Sequence, residues 1–270
     1  MIEQLDADGS YVYDEIHRIF PAEDFATLDT IRNVILESTC RFTNHHIPSL
    51  ESLHHIINKA DVNHLRMSLF EQINGSGFNW PDLVAKLAIR CISNTLGQDY
   101  LIQTKANLSI QMPFDETSVL DIHSDCISGD SPWQLNLWIP LTRSTSSASM
   151  FLVSRSDTLD YLRSLRQSTH CLDPQDEYTS LISKLNSYPR TFVNCDYGQI
   201  LLFNPAVLHG NQLNTLDYTR FSINIRVKSL YSPDAVAEFA DRGYGSYYKV
   251  ARISPSGAFS SDVSQLLFKQ

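Results

Sequence analysis

Three side chains of metal-binding type stand at a spacing that can do chemistry. In Leu120-Asp121-Ile122-His123-Ser124-Asp125 an imidazole and a carboxylate lie two residues apart. At a strand end, residues two apart project to one face, so His123 and Asp125 point together and Ser124 points away. A neutral imidazole and a carboxylate so placed can take neighbouring positions on a divalent ion. The spacing alone decides nothing, because nine histidines and thirty acidic residues in this chain supply about one such pair by chance.

A second histidine adds the weight. The run Tyr197-Gly198-Gln199-Ile200-Leu201-Leu202-Phe203-Asn204-Pro205 reads as a turn, a buried strand and a bend, and it delivers Leu208-His209-Gly210-Asn211. Two imidazoles and one carboxylate from remote segments are what a facial triad on Fe(II) requires, with three sites left open. Beyond His209, Arg220 opens Arg220-Phe221-Ser222-Ile223-Asn224-Ile225-Arg226-Val227. On a strand, Arg220, Ser222, Asn224 and Arg226 share the face opposite Phe221, Ile223, Ile225 and Val227. Two inward guanidinium groups are costly without an anion, and their planar fork suits a carboxylate.

The elements that must position these groups fall into two halves. From Pro21 to about Gly97 the apolar spacing is helical. Pro21 and Asp24 open a first helix through Phe25, Leu28, Ile31 and Ile35, a second run covers 64–73, and a third starts at Asn79-Trp80-Pro81-Asp82. After Gly97 the period shortens to two, and strands are expected at 100–112, 118–123, 134–141, 150–153, 191–194, 199–203 and 220–229. Helical spacing returns at about 157–185, and the tail beyond Gly243 shows no clear pattern.

Composition narrows the class. Apolar residues are 43% and charged residues 19%, so the chain folds around a core. A net charge of −9 with no basic stripe argues against nucleic-acid binding. The acidic start lacks a basic segment followed by an apolar one, and no run is long enough to span a membrane. Neither a secretory signal nor a membrane partner is expected. Five scattered cysteines without a C-x-x-C pair fit reduced thiols in a cytoplasmic protein better than disulfides or zinc. The pairs His45-His46 and His54-His55 lack a companion carboxylate at ligand spacing and read as surface or interhelical residues.

The order H-S-D, then Trp138-Ile139-Pro140-Leu141, then H-G-N-x-x-N from His209, then Arg220, resembles the Fe(II)/2-oxoglutarate-dependent oxygenases. The branch it is most similar to is the phytanoyl-CoA hydroxylase-like one, with members in antibiotic-sugar and surface-carbohydrate biosynthesis. The similarity covers about residues 111–227. It implies a mainly β fold with flanking helices, a cupin-like double-stranded β-helix or jelly roll. One domain over 1–270 would comprise a helical portion at 1–98, a core at 99–230 with a helical insertion at about 157–187, and an extension at 231–270.

By the same resemblance His123, Asp125 and His209 would hold Fe(II), and Arg220 would take the far carboxylate of the co-substrate 2-oxoglutarate. The spacing of Arg226 from Arg220 is similar to the paired arginines of nucleic-acid dealkylases, which implies a near-carboxylate contact. Gln111 and Asn136 are further cofactor-side candidates, and Trp138 and Asn211 are candidates for the substrate pocket. Asn211 and Asn214 can equally cap the turn after His209. The implied reaction uses O2, releases succinate and CO2, and hydroxylates a small molecule, with a sugar or nucleotide-sugar derivative as the expected partner. Where many members carry P-G-S-H, this chain reads Val153-Ser154-Arg155-Ser156 at the substrate mouth, so the substrate class does not carry over. Two alternatives stay open: a jelly-roll binding module without oxidation, and a cupin-type metalloenzyme that does not use 2-oxoglutarate. Nothing in the sequence sets the oligomeric state.

Overall fold

The computed structural model describes residues 4–5, 11–13, 16–167, 174–233 and 247–268. Its strands are β1 (Gln4–Leu5), β2 (Tyr11–Tyr13), β3 (His17–Pro21), β4 (Tyr100–Gln103), β5 (Asn107–Gln111), β6 (Gln134–Pro140), β7 (Met150–Leu152), β8 (Thr191–Phe192), β9 (Gln199–Phe203), β10 (His209–Asn211), β11 (Arg220–Ser229) and β12 (Tyr248–Arg252). The helices are α1 (Phe25–Thr43), α2 (Val62–Gln72), α3 (Trp80–Leu96), α4 (Arg155–Gln167), α5 (Pro174–Ser187) and α6 (Pro255–Phe268).

Alternation along the strands sorts them into layers. A nine-stranded sheet runs β1-β2-β3-β9-β6-β11-β4-β12, with β5 also paired to β11. Its apolar face, which includes Leu137, Ile139, Phe221, Ile223 and Ile225, packs on Leu28, Ile31, Leu65 and Leu87 of α1 to α3. The other face sets Trp138, Leu201 and Phe203 against Met150 and Leu152 of a three-stranded sheet, β10-β7-β8. Phe151 and Val153 turn outward from that small sheet beneath Tyr161 of α4 and Leu185 of α5. The result is mainly sheet with helices on both outer sides, and among the described residues the two sheets do not close into a barrel.

Local chemistry sets the helix ends. Both Asp24 carboxylate oxygens accept from Thr27, one from its backbone N–H at 3.1 Å and the other from its hydroxyl at 2.8 Å, which caps α1. Pro81 sits in the first turn of α3, and Gly97 at φ 92° stops it.

Several expectations need correction. The strand expected at 100–112 is two strands, because Asn74 captures the chain between them. Its amide oxygen accepts from Ala106 N–H at 2.8 Å, and its amide nitrogen donates to the Ala106 carbonyl at 2.8 Å. The segment expected as a strand at 118–123 holds only a single bridge, His123 to His209, after a 3-10 turn at Glu116–Ser118. Its partner β10 is only three residues long, so no longer ladder forms. The portion 1–98 is not wholly helical, since β3 enters the large sheet beside β9. With Ile19 and Phe20 adjacent and both buried, β3 lacks the alternation that would have marked it.

β12 and α6 lie in the patternless tail, where the Asp99 carboxylate accepts from the Ser254 hydroxyl and backbone N–H ahead of α6. The insertion is α4 and α5. Cys171 and residues 234–246 of the expected extension lie outside the described residues. The other four cysteines are free thiols. Among the described residues no helix is long and apolar enough to cross a membrane.

Replacing Asn74 by Ala leaves the fully buried Ala106 peptide without either partner. Chemical denaturation of Asn74→Ala is expected to show a loss of about 2–4 kcal/mol.

Candidate metal centre

The site begins with a backbone pairing. His123 N–H donates to the His209 carbonyl at 2.9 Å, and His209 N–H donates back to the His123 carbonyl at 2.8 Å. Directly opposed residues of an antiparallel pair project to the same side, and here the ring centroids are 4.3 Å apart. The approach depends on Gly210. A Cβ there would meet the Leu120 carbonyl oxygen at 2.8 Å, Phe151 Cζ at 2.9 Å and the Asp121 carbonyl oxygen at 3.1 Å. Asp125 follows by a bend, its N–H donating to the Pro205 carbonyl at 3.0 Å. Ser124 turns away and donates to the same carbonyl at 3.2 Å.

Both imidazoles are oriented by the same device. His123 Nδ1 lies 2.7 Å from the Asp121 carbonyl, and His209 Nδ1 lies 2.8 Å from the Val207 carbonyl. A carbonyl only accepts, so each Nδ1 carries a proton, and in its neutral form each ring presents an Nε2 lone pair. Those atoms face Asp125 Oδ1 at 3.6 Å and 3.8 Å. The separations are too wide for hydrogen bonds. They are close to the about 3–3.5 Å between two atoms that each sit about 2.1 Å from one ion. Two imidazoles and one carboxylate within 4.8 Å of one another are a donor set that fits a divalent first-row ion, and they are the one such group among the described residues.

The charge states follow from burial and partners. His209 is pushed down to about 4 by loss of hydration, against the pull of Asp125. His123 also loses hydration, but it is the more open of the two, and the Asp125 carboxylate and Asp121 carbonyl outweigh the loss and raise it. Burial would lift the Asp125 carboxyl, yet His123, His209, Arg226 and Asn136 together hold it well below the usual carboxylate range.

The other Asp125 oxygen is tied behind the site. Oδ2 accepts from Asn136 Nδ2 at 2.6 Å and from Arg226 Nη2 at 3.2 Å. Arg226 also donates from Nε to Asp130 Oδ2 at 2.6 Å, and Gln134 Nε2 donates to the same oxygen at 3.0 Å. Tyr248 of β12 closes this chain by donating to Gln134 Oε1.

Arg220 differs from Arg226. It is 2% exposed, and its partners are the Gln111 amide oxygen at 3.0 and 3.2 Å and the hydroxyls of Ser222 at 2.5 Å and Ser109 at 3.3 Å. No carboxylate pairs with it among the described residues. Burial lowers its pKa to about 10, so it stays charged at neutral pH.

One cavity of about 300 Å³ is lined by His123, Asp125, His209, Arg220 and Arg226 together. Trp138 and Asn211 also line it, with Trp138 Nε1 donating to Ser222 at 3.1 Å. Asn211 spends its amide on the chain beside it, accepting from Leu120 N–H at 2.5 Å and donating to the Ser118 carbonyl at 3.1 Å. Asn214 caps the following turn by donating to the Tyr218 carbonyl at 2.8 Å. Gln111 and Asn136, expected on the cofactor side, do not line the cavity. Each is fully buried one layer back, Gln111 gripping Arg220 and Asn136 gripping Asp125. His54 and His55 stack on each other at 3.9 Å, away from any such cluster.

Sequence reading missed Asp130, Asn107, Ser109 and Arg66. For Asn107 and Ser109 a signal existed: both sit two-residue steps from Gln111 on one strand face. Asp130 lies in a loop and Arg66 on a helix, where strand spacing says nothing.

No family model matches the chain, and no curated protein matches it in sequence. Among solved structures it is similar to a nickel complex of the non-heme monooxygenase ThoJ, at 19% identity over 88% of this chain and 81% of that chain, with a TM-score of 0.45. HygX from Streptomyces hygroscopicus, with nickel and 2-oxoglutarate bound, is 17% identical over 87% of this chain and 93% of its own, with a TM-score of 0.47. The non-heme alpha-ketoglutarate-dependent carbocyclase SnoK from nogalamycin biosynthesis is 15% identical over 73% and 90%, with a TM-score of 0.44.

Two outcomes test the centre. Mn(II) or Ni(II) raises the melting temperature of the wild type, EDTA reverses the rise, and His209→Ala abolishes it. Gly210→Ala pushes the 120–121 carbonyls away and moves His123 with them, so calorimetry should find metal binding at least about tenfold weaker. The crowding itself should destabilise the metal-free protein by about 1–3 kcal/mol.

Proposed function

We propose that the chain is an Fe(II)- and 2-oxoglutarate-dependent oxygenase of the phytanoyl-CoA hydroxylase-like branch, hydroxylating a small polar metabolite of carbohydrate type. The two facing sheets are then the halves of an open jelly roll. The observation that carries the reading is Arg220, a buried guanidinium that has no acid partner among the described residues and lines the same cavity as two imidazoles and a carboxylate. An uncompensated buried charge is strongly destabilising, and an anionic co-substrate removes the penalty.

When bound, the iron and 2-oxoglutarate would supply an oxidant from O2, with succinate and CO2 as by-products. The protein's part is positional. His123, Asp125 and His209 would hold the ion. Gln111 and the Ser109 and Ser222 hydroxyls fix the Arg220 fork, which would take the far carboxylate. Arg226 keeps Asp125 Oδ2 occupied, so that Oδ1 stays turned inward, and although its Nη1 also donates to Gln103 it lines the cavity, where it would stand by the near carboxylate. Trp138, Phe203 and Met150 wall the cavity with apolar surface that excludes water. The four free thiols fit a reducing, cytoplasmic setting.

Anaerobic addition of Fe(II) and 2-oxoglutarate should give a weak visible charge-transfer band, absent in His123→Ala. Arg220→Met should bind the metal as wild type does and 2-oxoglutarate about thirtyfold more weakly or worse. A wild type with neither band nor succinate formation removes the proposal, and a silent Arg220→Met turns it toward a cupin-type metalloenzyme.

A further inference from the structure

The oxygenase reading leaves the outer end of the cavity without a task. Along β5 and β11, Gln111 lies opposite Arg220, Ser109 opposite Ser222, and Asn107 opposite Asn224, so all six share one sheet face, and all but Gln111 line the cavity. The first two pairs are engaged with Arg220. The third is not. Asn224 lines the cavity, and its amide oxygen is buried without a hydrogen-bond partner. Such an acceptor asks for a donor. The 2-oxoglutarate dianion offers only acceptors, so the donor has to come from something else.

Arg66 lines the same cavity from α2, which packs against β5. It follows the buried Leu65 and is itself half-buried. Its one hydrogen bond goes to the neutral Asn63 amide, and no carboxylate pairs with it among the described residues. The charges around the cavity identify what is missing. Asp125 and Asp130 together with a 2-oxoglutarate dianion balance a divalent ion, Arg220 and Arg226. Arg66 is the remaining charge.

We infer that Arg66, together with Asn107 and Asn224 of the same cavity, recognises the substrate as a small hydroxylated anion. A carboxylate or phosphate monoester on that molecule meets the Arg66 guanidinium, and one of its hydroxyl hydrogens meets the Asn224 amide oxygen. The inference rests on the oxygenase reading and names its substrate class.

The test uses protein loaded with Ni(II) and saturated with 2-oxoglutarate, titrated in a calorimeter with glycerol 3-phosphate, glycerate and glycerol. In the wild type at least one anion should bind about tenfold or more tightly than glycerol. Arg66→Met should bring that anion down to the glycerol level, and Arg66→Lys should restore part of the difference. Both variants should bind 2-oxoglutarate as the wild type does. Arg66 lies on a helix surface, and matched melting curves check that the fold is kept. Preference for glycerol 3-phosphate assigns a phosphate monoester, and preference for glycerate assigns a carboxylate. The inference is overturned if neither anion outbinds glycerol, or if Arg66→Met leaves anion binding unchanged. It is also overturned if Arg66→Met weakens 2-oxoglutarate as Arg220→Met does. Failure of the wild type to bind 2-oxoglutarate at all is a separate result that removes the oxygenase reading itself.

Discussion

Two reciprocal hydrogen bonds between the peptides of His123 and His209 define the donor set of this protein. Residues far apart in the chain become direct neighbours, and antiparallel geometry alone puts their rings on one side. Asp125 then needs only a bend against the Pro205 carbonyl to complete the set. Gly210 is what lets the segments come this close, because a methyl group would strike two carbonyl oxygens. One bridge and one missing side chain therefore carry more of the site than any of the regular strands around it.

The buried charges are arranged with unequal partners. Arg226 is held between Asp125 and Asp130, a pairing that stabilises the Asp125 carboxylate in its ionised form. Arg220 sits on the same strand face, hydrogen-bonded among the described residues to neutral oxygens and lying over the Trp138 ring. Both come from β11, which is bordered by β6 on one side and by β4 and β5 on the other. A strand held along both edges cannot shift register without turning its apolar face toward the polar one. The spacing between the two guanidinium groups is thus preorganised by the sheet.

Much of the site was legible because strand alternation carries it. Arg220, Ser222, Asn224 and Arg226 separate from Phe221, Ile223, Ile225 and Val227 by period alone, and the structure puts the first set on the cavity face and the second in the core. His123, Asp125 and His209 were legible by residue type and by the strand that leads to the second histidine. What was not legible depends on contacts remote in sequence. Asn74 divides 100–112 through bonds to Ala106, and nothing local to that run announces it. β3 joins the sheet by pairing with β9, although its own pattern is two adjacent apolar residues. Asp130 acquires its role only because Arg226 reaches it across the fold.

The carbonyl beside each Nδ1 has a kinetic side. A free imidazole in water exchanges its proton between the two ring nitrogens and spins about its bonds. Here Asp121 and Val207 have already chosen the tautomer and the rotamer of His123 and His209. Both Nε2 atoms are thereby turned toward Asp125 Oδ1, so a cation that exchanges water for them meets rings already oriented.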